Sequence, residues 1–276
     1  MTRTVPGWVA ALAGVGALLI GLPLIGLLLR VPWVRVPALL AEPAARDALW
    51  LSLRTCLAST VLSVLLGLPL ALVLARLRGP WAALGRVVAT VPMVLPPVVG
   101  GLALLVTLGR RGPVGRLLGL GGVEIGFTTA AVVIAQAFVA MPFLVVAVEG
   151  ALRSLDADAE LMAATLGAGP SRVLWRITLP SLLPAIVSGT SLAAARSLGE
   201  FGATVTFAGS LQGVTRTLPL EIYLQREVDT DTALALAAVL LVLAALLVLG
   251  TGLLGRRRPA RVRATASAAT TPGGAG

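Results

Sequence analysis

The chain has 276 residues, of which 57% are hydrophobic, with a mean hydropathy of +0.97 and a formal net charge of +10. Soluble domains sit nearer about 45–50% apolar, so this composition describes an integral membrane protein with one membrane domain and no room for a second large one. Histidine and lysine are absent, which excludes a P-loop nucleotide site, a Ser-His-Asp triad and a His-rich metal centre on this chain, and the single cysteine, Cys56, excludes an internal disulfide.

A membrane-crossing helix needs about 20 apolar residues, and six stretches qualify in order. Trp8 to Leu29 is the first; it is too long for a signal-peptide core and lacks a small-x-small cleavage site, so it reads as a retained helix. A proline-bearing loop from Arg30 to Asp47 leads to the second span, Trp50 to Leu74. A basic turn with Arg76, Arg78 and Arg86 precedes the third, Val87 to Leu108, and a Gly-rich loop with Arg110, Arg111, Arg116 and Glu124 precedes the fourth, Phe127 to Val148. The fifth runs from Ser181 to about Phe201, and after a mixed segment the sixth runs from Ala233 to Leu254. The reading is an all-α membrane protein of about six transmembrane helices. Residues 1–48 carry the first helix and outer loop, 49–254 the membrane domain, and 255–276 a basic tail without periodicity that reads as disordered.

Six spans put both termini on one side. That side holds Arg3, Arg76, Arg78, Arg86, Arg153, Arg172, Arg176 and the tail cluster Arg256, Arg257, Arg258, Arg261 and Arg263. The opposite loops hold Arg30, Arg35, Arg46, Arg110, Arg111, Arg116, Arg216 and Arg226. The excess favours cytoplasmic termini by the positive-inside rule, with the three arginines of the Gly-rich loop as the exception. Arginines dispersed through the loops are no nucleic-acid patch, and the tail cluster reads as an orientation signal.

Between the fourth and fifth spans lies a cytoplasmic hairpin at about 153–180, whose centre is ELMAATLGAGPSRVLWRITLP. Asp156, Asp158 and Glu160 place negative charge in a first helical turn. Gly167 stands where a helix C-cap favours positive φ, and Pro170 suits the first position of a new helix. Such a hairpin is too small to bury itself and needs a membrane surface or a partner. Gly167, Ile177 ten residues later, and Leu179-Pro180 resemble the "EAA" loop of binding-protein-dependent ATP-binding cassette importers. There the loop inserts a short helix into a groove of the ATPase subunit. The family pattern begins Glu-Ala-Ala six residues before the glycine. Here that stretch is Leu161-Met162-Ala163, with the glutamate displaced to Glu160. The resemblance implies coupling residues Glu160, Ala163, Gly167, Ile177, Leu179 and Pro180.

The third span contains VPMVLPPVVGG, in which Pro92, Pro96 and Pro97 remove backbone donors. Broken backbone in hydrocarbon is tolerated where it is buried in protein or lines a watery cavity, and broken helices are where transporters hold substrates. Two readings stay open: a kink that shapes packing, and a piece of a translocation pathway. The fifth span ends ARSLGEFGATVTFAG. Arg196 and Glu200 are four apart and read as sharing one helical face near the outer boundary, where an intrahelical pair is compatible with a role in the pathway. Ser197, Gly199, Gly202 and Thr204 suit close packing and a polar lining.

SLGEFGATVTFAG, the subsequent Thr215-Arg216-Thr217-Leu218-Pro219-Leu220 and Ile222-Tyr223, and the proline run together resemble the permease subunits of molybdate importers over about residues 48 to 250. Sulfate and tungstate permeases are close relatives with similar runs. The resemblance implies the type-I importer permease fold, a homodimer, separate ATPase subunits that use Mg-ATP, and an extracytoplasmic molybdate-binding protein. It implies no cofactor on this chain, no catalysis by it, and a bacterial cytoplasmic membrane location. It also implies a pathway or gate built on Pro92, Pro96, Pro97, Arg196, Ser197, Gly199, Glu200, Gly202 and Thr204. The alternatives are a sulfate or tungstate importer of the same fold and an ion-driven secondary transporter; in the latter case an inverted repeat is common, and none is clear here. An intramembrane enzyme would be left with Ser-only or aspartate-pair chemistry, and the aspartate pair is disfavoured because every aspartate falls in a loop or in the hairpin.

Overall fold

The structure, a computed structural model, describes residues 6–156 and 158–255. Among them every regular element is helical: α1 Gly7–Arg30, α2 Val36–Ala41, α3 Pro43–Arg76, α4 Pro80–Val94, α5 Pro97–Leu108, α6 Pro113–Leu120, α7 Thr129–Ser154, α8 Asp158–Thr165, α9 Pro170–Val173, α10 Leu179–Leu198, α11 Gly202–Ala208, α12 Leu218–Val228 and α13 Thr230–Gly255. A π-turn, Leu174–Thr178, joins α9 to α10. Five helices are long and apolar enough to cross a membrane, namely α1, α3, α7, the run Pro170–Leu198 and α13 to Gly250, and the bent pair α4–α5 makes a sixth if taken as one span. The tail expected to be disordered, 256–276, lies outside the described residues, as does Arg3.

α7 is the central helix, with α3 and α10 as its main neighbours. The three approach closely because the interface is built from small residues, the usual device where lipid offers no hydrophobic drive between helices. A Cβ on Gly189 would stand 3.0 Å from Ala147 Cβ and 3.2 Å from Leu144 Cα, and one on Gly67 would stand 2.9 Å from Met141 Cγ. Ala71, Leu74, Ala140, Leu144, Val145, Val148, Leu182 and Ala193 fill this three-helix seam. A second apolar cluster joins α5, α7 and α11 through Leu104, Ala131, Ala135, Val139, Ala203 and Phe207. α1, by contrast, buries no residue and has α13 as its main neighbour.

Several boundaries differ from the sequence reading. The 48/49 division falls inside α3, which begins at Pro43 because Pro at the first position is preorganised for helix. The third span is not one straight helix over Val87–Leu108. The residue before a proline is pushed out of the helical region, so Leu95 is extended (φ −63°, ψ 139°), and α4 and α5 meet at 116°. The Gly-rich loop contains α6, and the mixed segment after the fifth span contains α11 and α12. Ser52 Oγ accepts the backbone N–H of Leu218 at 2.6 Å, tying α12 to α3 with both residues buried. Ser52→Ala orphans that buried donor, and about 1–3 kcal/mol of stability should be lost, read as a lower melting temperature of the purified chain in detergent. At the start of α13, Asp229 accepts from Thr232 Oγ1 (2.6 Å) and the Asp231 N–H (3.1 Å). The bond from Thr232, above all, holds its carboxyl below the usual range.

Candidate functional site

The two proline and glycine runs singled out in the sequence meet in space. Pro92 sits inside α4 and lines an apolar hollow with Leu70, Trp81, Phe138 and Met141. Pro96 makes the break, and Pro97 opens α5. The chain breaks again between α10 and α11, at Gly199 (φ −87°, ψ 7°) and Phe201 (φ −124°, ψ −57°). The breaks pack against each other: a Cβ on Gly202 would lie 2.8 Å from Pro97 Cβ and 3.2 Å from Val98 N. One turn further into α5, a Cβ on Gly101 would lie 2.7 Å from Ala203 O and 2.8 Å from Ala203 Cα. Pro96, Pro97, Val98 and Val99 are exposed.

Arg196 and Glu200 do pair, with Arg196 Nη1 2.6 Å from Glu200 Oε2, but not on one helical face. α10 ends at Leu198, so Glu200 lies past the helix, in a tight turn closed by its own N–H on Ser197 O (3.1 Å). Glu200 is fully buried, and its Oε1 accepts the N–H of Ala203 at 2.7 Å, capping the first turn of α11. Its Oε2 meets Arg196 as an ion pair out of line for a hydrogen bond. One carboxylate thus holds both sides of the break.

Around the break the interior is polar. Ser197 is buried, its hydroxyl hydrogen-bonded to that of Ser59 on α3, and Cys56 Sγ donates to Ala194 O at 3.4 Å. Thr204 of α11 and Gln136 of α7 are buried as well, and Thr204 Oγ1 and Gln136 Oε1 make no hydrogen bond among the described residues. Gly199 is exposed.

The hairpin forms as its local chemistry dictates. α8 carries Asp158 and Glu160 in its first turn, Gly167 adopts φ +83°, and Pro170 begins α9. α9 does not end before the fifth span, however; it continues through the π-turn into α10. Leu161, Met162, Leu166 and Trp175 are 61–88% exposed, which leaves the hairpin apolar side chains without cover from the described residues. Ala163, Ile177 and Leu179 are half-buried, and Pro180 is exposed. Glu160 turns inward: Arg76 Nη2 donates to its two oxygens at 3.2 and 3.3 Å, and Thr178 Oγ1 donates to Oε1.

Residues that the sequence reading passed over do comparable work. Arg86 of α4 pairs with Glu149 of α7 and donates to Leu74 O (3.2 Å), pinning the bent span to the central helix. Arg54, inside the second span, stacks over Trp50 with its guanidinium carbon 4.4 Å from the ring centroid. Only a break in an otherwise apolar run marked Arg54, and nothing local marked Glu149.

Residues 64–258 match the family of binding-protein-dependent transport system inner membrane components. The chain belongs to this family. It is therefore a multi-pass inner-membrane protein and a membrane component of a transport system. Over 247 residues, 90% of this chain and 94% of the relative, it is 58% identical to the molybdenum transport system permease protein ModB of Mycobacterium tuberculosis. It is 38% identical over 221 residues, 77% of each chain, to the sulfate transport system permease protein CysW of Synechococcus elongatus. The fold is that of a crystallised bacterial ABC transporter involved in import of the acidic polysaccharide alginate, with TM-score 0.67 and 19% identity over 91% of this chain and 94% of that one.

Proposed function

We propose that this chain is the permease subunit of an ATP-driven molybdate importer in a bacterial cytoplasmic membrane. The observation that carries the cargo is the 58% identity to a molybdenum permease over nearly its whole length, against 38% for the sulfate relative. Energy comes from a separate ATPase that uses Mg-ATP, since the chain has neither lysine nor histidine with which to build a nucleotide site of its own. An extracytoplasmic molybdate-binding protein delivers the dianion to the outer side. A homodimer fits the exposed broken spans, because a pathway on a two-fold axis is lined by equal helices from both copies. α1, which buries no residue, faces lipid or the second copy. Both termini lie in the cytoplasm by the arginine distribution.

The mechanism rests on the two sites. The exposed apolar face of α8 and α9 enters the ATPase, so closure of the ATPase pair moves the hairpins. The motion reaches α10 directly through the π-turn, and α10 carries the break at Gly199 to Gly202 that packs on Pro97. The pathway comprises Pro96, Pro97, Arg196, Ser197, Gly199, Glu200, Gly202 and Thr204, with Pro92 behind it shaping α4. Arg196 is neutralised by Glu200, so the pathway offers the dianion no strong resting site, as rapid release requires.

The test is uptake of labelled molybdate into vesicles holding this chain with its ATPase and binding protein. Uptake should need ATP and the binding protein and resist an equal concentration of sulfate. Equal competition by sulfate or tungstate would reassign the cargo, and uptake driven by a proton gradient without ATP would overturn the importer reading. Coupling has its own test. Gly167 at φ +83° has open space around it, so Gly167→Val strains the backbone without a clash, by about 1–2 kcal/mol. Less ATPase should then co-purify, and normal assembly and transport would refute the role given to this turn.

A further inference from the structure

Resting on the importer reading, we infer that Glu160 is an internal latch that fixes the coupling hairpin to the base of the helix bundle, rather than a contact to the ATPase. Three elements converge on its carboxylate. Arg76, the last residue of α3, donates to both oxygens; Thr178, the last residue of the π-turn, donates to Oε1; and Glu160 itself stands in the first turn of α8. The acid is two-thirds or more covered, whereas Arg76 is half-exposed.

The rest of α8 gives the latch its importance. α8 buries no residue, and its main neighbours are α9 and the π-turn. Its apolar side chains Leu161 and Met162 point away from the bundle, 61% and 62% exposed. Without Glu160, the helix that meets the ATPase hangs from the bundle by its connecting turns. With it, α8 is tied to α3 and to the root of α10 together. Force entering at α8 then reaches two spans at once, one of which ends at the break against Pro97.

The π-turn explains the geometry. The Leu179 N–H bonds to Leu174 O, five residues back, which inserts one residue into the helix and rotates α10 relative to α9. Such turns are uncommon and concentrate at functional positions. Here the turn ends on Thr178, only 1% exposed, with its hydroxyl on the carboxylate. The displaced glutamate of the motif thereby acquires an occupation: at position 160 it faces Arg76 and Thr178, while the apolar side chains after it face out.

The experiment uses the complete complex of this chain with its ATPase and binding protein in proteoliposomes, with Glu160→Gln, Arg76→Gln and the exchange Arg76→Glu with Glu160→Arg. Both single variants should retain the ATPase on purification and continue to hydrolyse ATP. Each should raise ATP consumed per molybdate imported by about tenfold, within the usual span of coupling between sites. The exchange should recover most of that ratio. A second readout is independent of transport: spin labels at Leu166 and Leu77, both exposed, should give one narrow distance in the parent complex and a broadened distribution in either single variant. Loss of the ATPase from Glu160→Gln but not from Arg76→Gln would assign the carboxylate to docking and overturn the latch, as would unchanged coupling and distance in both. If the parent complex imports no oxyanion, the functional reading fails on its own, and the distance measurement still decides whether the latch exists.

Discussion

Glu200→Ala is expected to be among the most damaging single substitutions in the chain, lowering stability by about 3 kcal/mol. The figure lies at the low end of the range for breaking a buried ion pair, because Arg196 keeps 28% of its side chain exposed and can recover part of its solvation. Two losses combine. Arg196 is left without its counter-charge inside the bundle, and the first turn of α11 loses the acceptor of the Ala203 N–H. Glu200→Gln separates them, since an amide oxygen can still accept from Ala203 while the charge is gone, so its melting temperature in detergent should fall between those of alanine and parent. Arg196→Ala with Glu200→Ala should cost less than the two singles added, because the second change removes the uncompensated charge left by the first. On the proposed function, Glu200→Gln also exposes the passing dianion to an unneutralised Arg196, so turnover should fall even in complexes that assemble normally. Additive losses in the double variant would show that the 2.6 Å ion pair does not hold the break together.

How much of the fold and the site is legible in the sequence depends on the range of each interaction. Five of the six apolar stretches, the positive φ of Gly167 and the helix start at Pro170 are local matters, governed by a few residues and their backbone preferences, and they stand close to where the sequence places them. The break at Leu95-Pro96 is equally local, but its 116° angle is not, because the direction α5 takes is set by the glycine contact with α11 more than 90 residues later. Arg196 and Glu200 illustrate the opposite failure. Their spacing suits a helix, yet Gly199 ends it, and the pair survives only because the turn brings Glu200 back beneath Arg196. Glu160 with Arg76, Arg86 with Glu149, and Ser59 with Ser197 were out of reach for the same reason: each joins separate helices, and a single sequence records no distance between them. Membership of the family was legible in the hairpin and in the proline and glycine runs, because those motifs serve backbone conformation and tolerate few residue types.

Gly101→Ala should cost as much as a modest core truncation although it adds a single methyl group. The added Cβ would stand 2.7 Å from Ala203 O, 2.8 Å from Ala203 Cα and 2.8 Å from Thr206 Cβ. The first two are backbone atoms of α11, so no side-chain rotation relieves them, and α5 and α11 must move apart. Overpacking of this kind costs about 1–3 kcal/mol, and the backbone contacts argue for the upper end. Gly202→Ala meets the rigid ring of Pro97 at 2.8 Å and should behave alike. Gly150→Ala is the control: it lies within α7 with nothing inside 4 Å, so it should be neutral or stabilise by up to about 1 kcal/mol through helix propensity. The consequence for transport is more specific than for stability. The contact joins the two broken spans, while the hairpin is built from other residues. Gly101→Ala complexes should therefore retain their ATPase and lose most uptake, and normal uptake with a lowered melting temperature would confine the α5–α11 contact to a structural role.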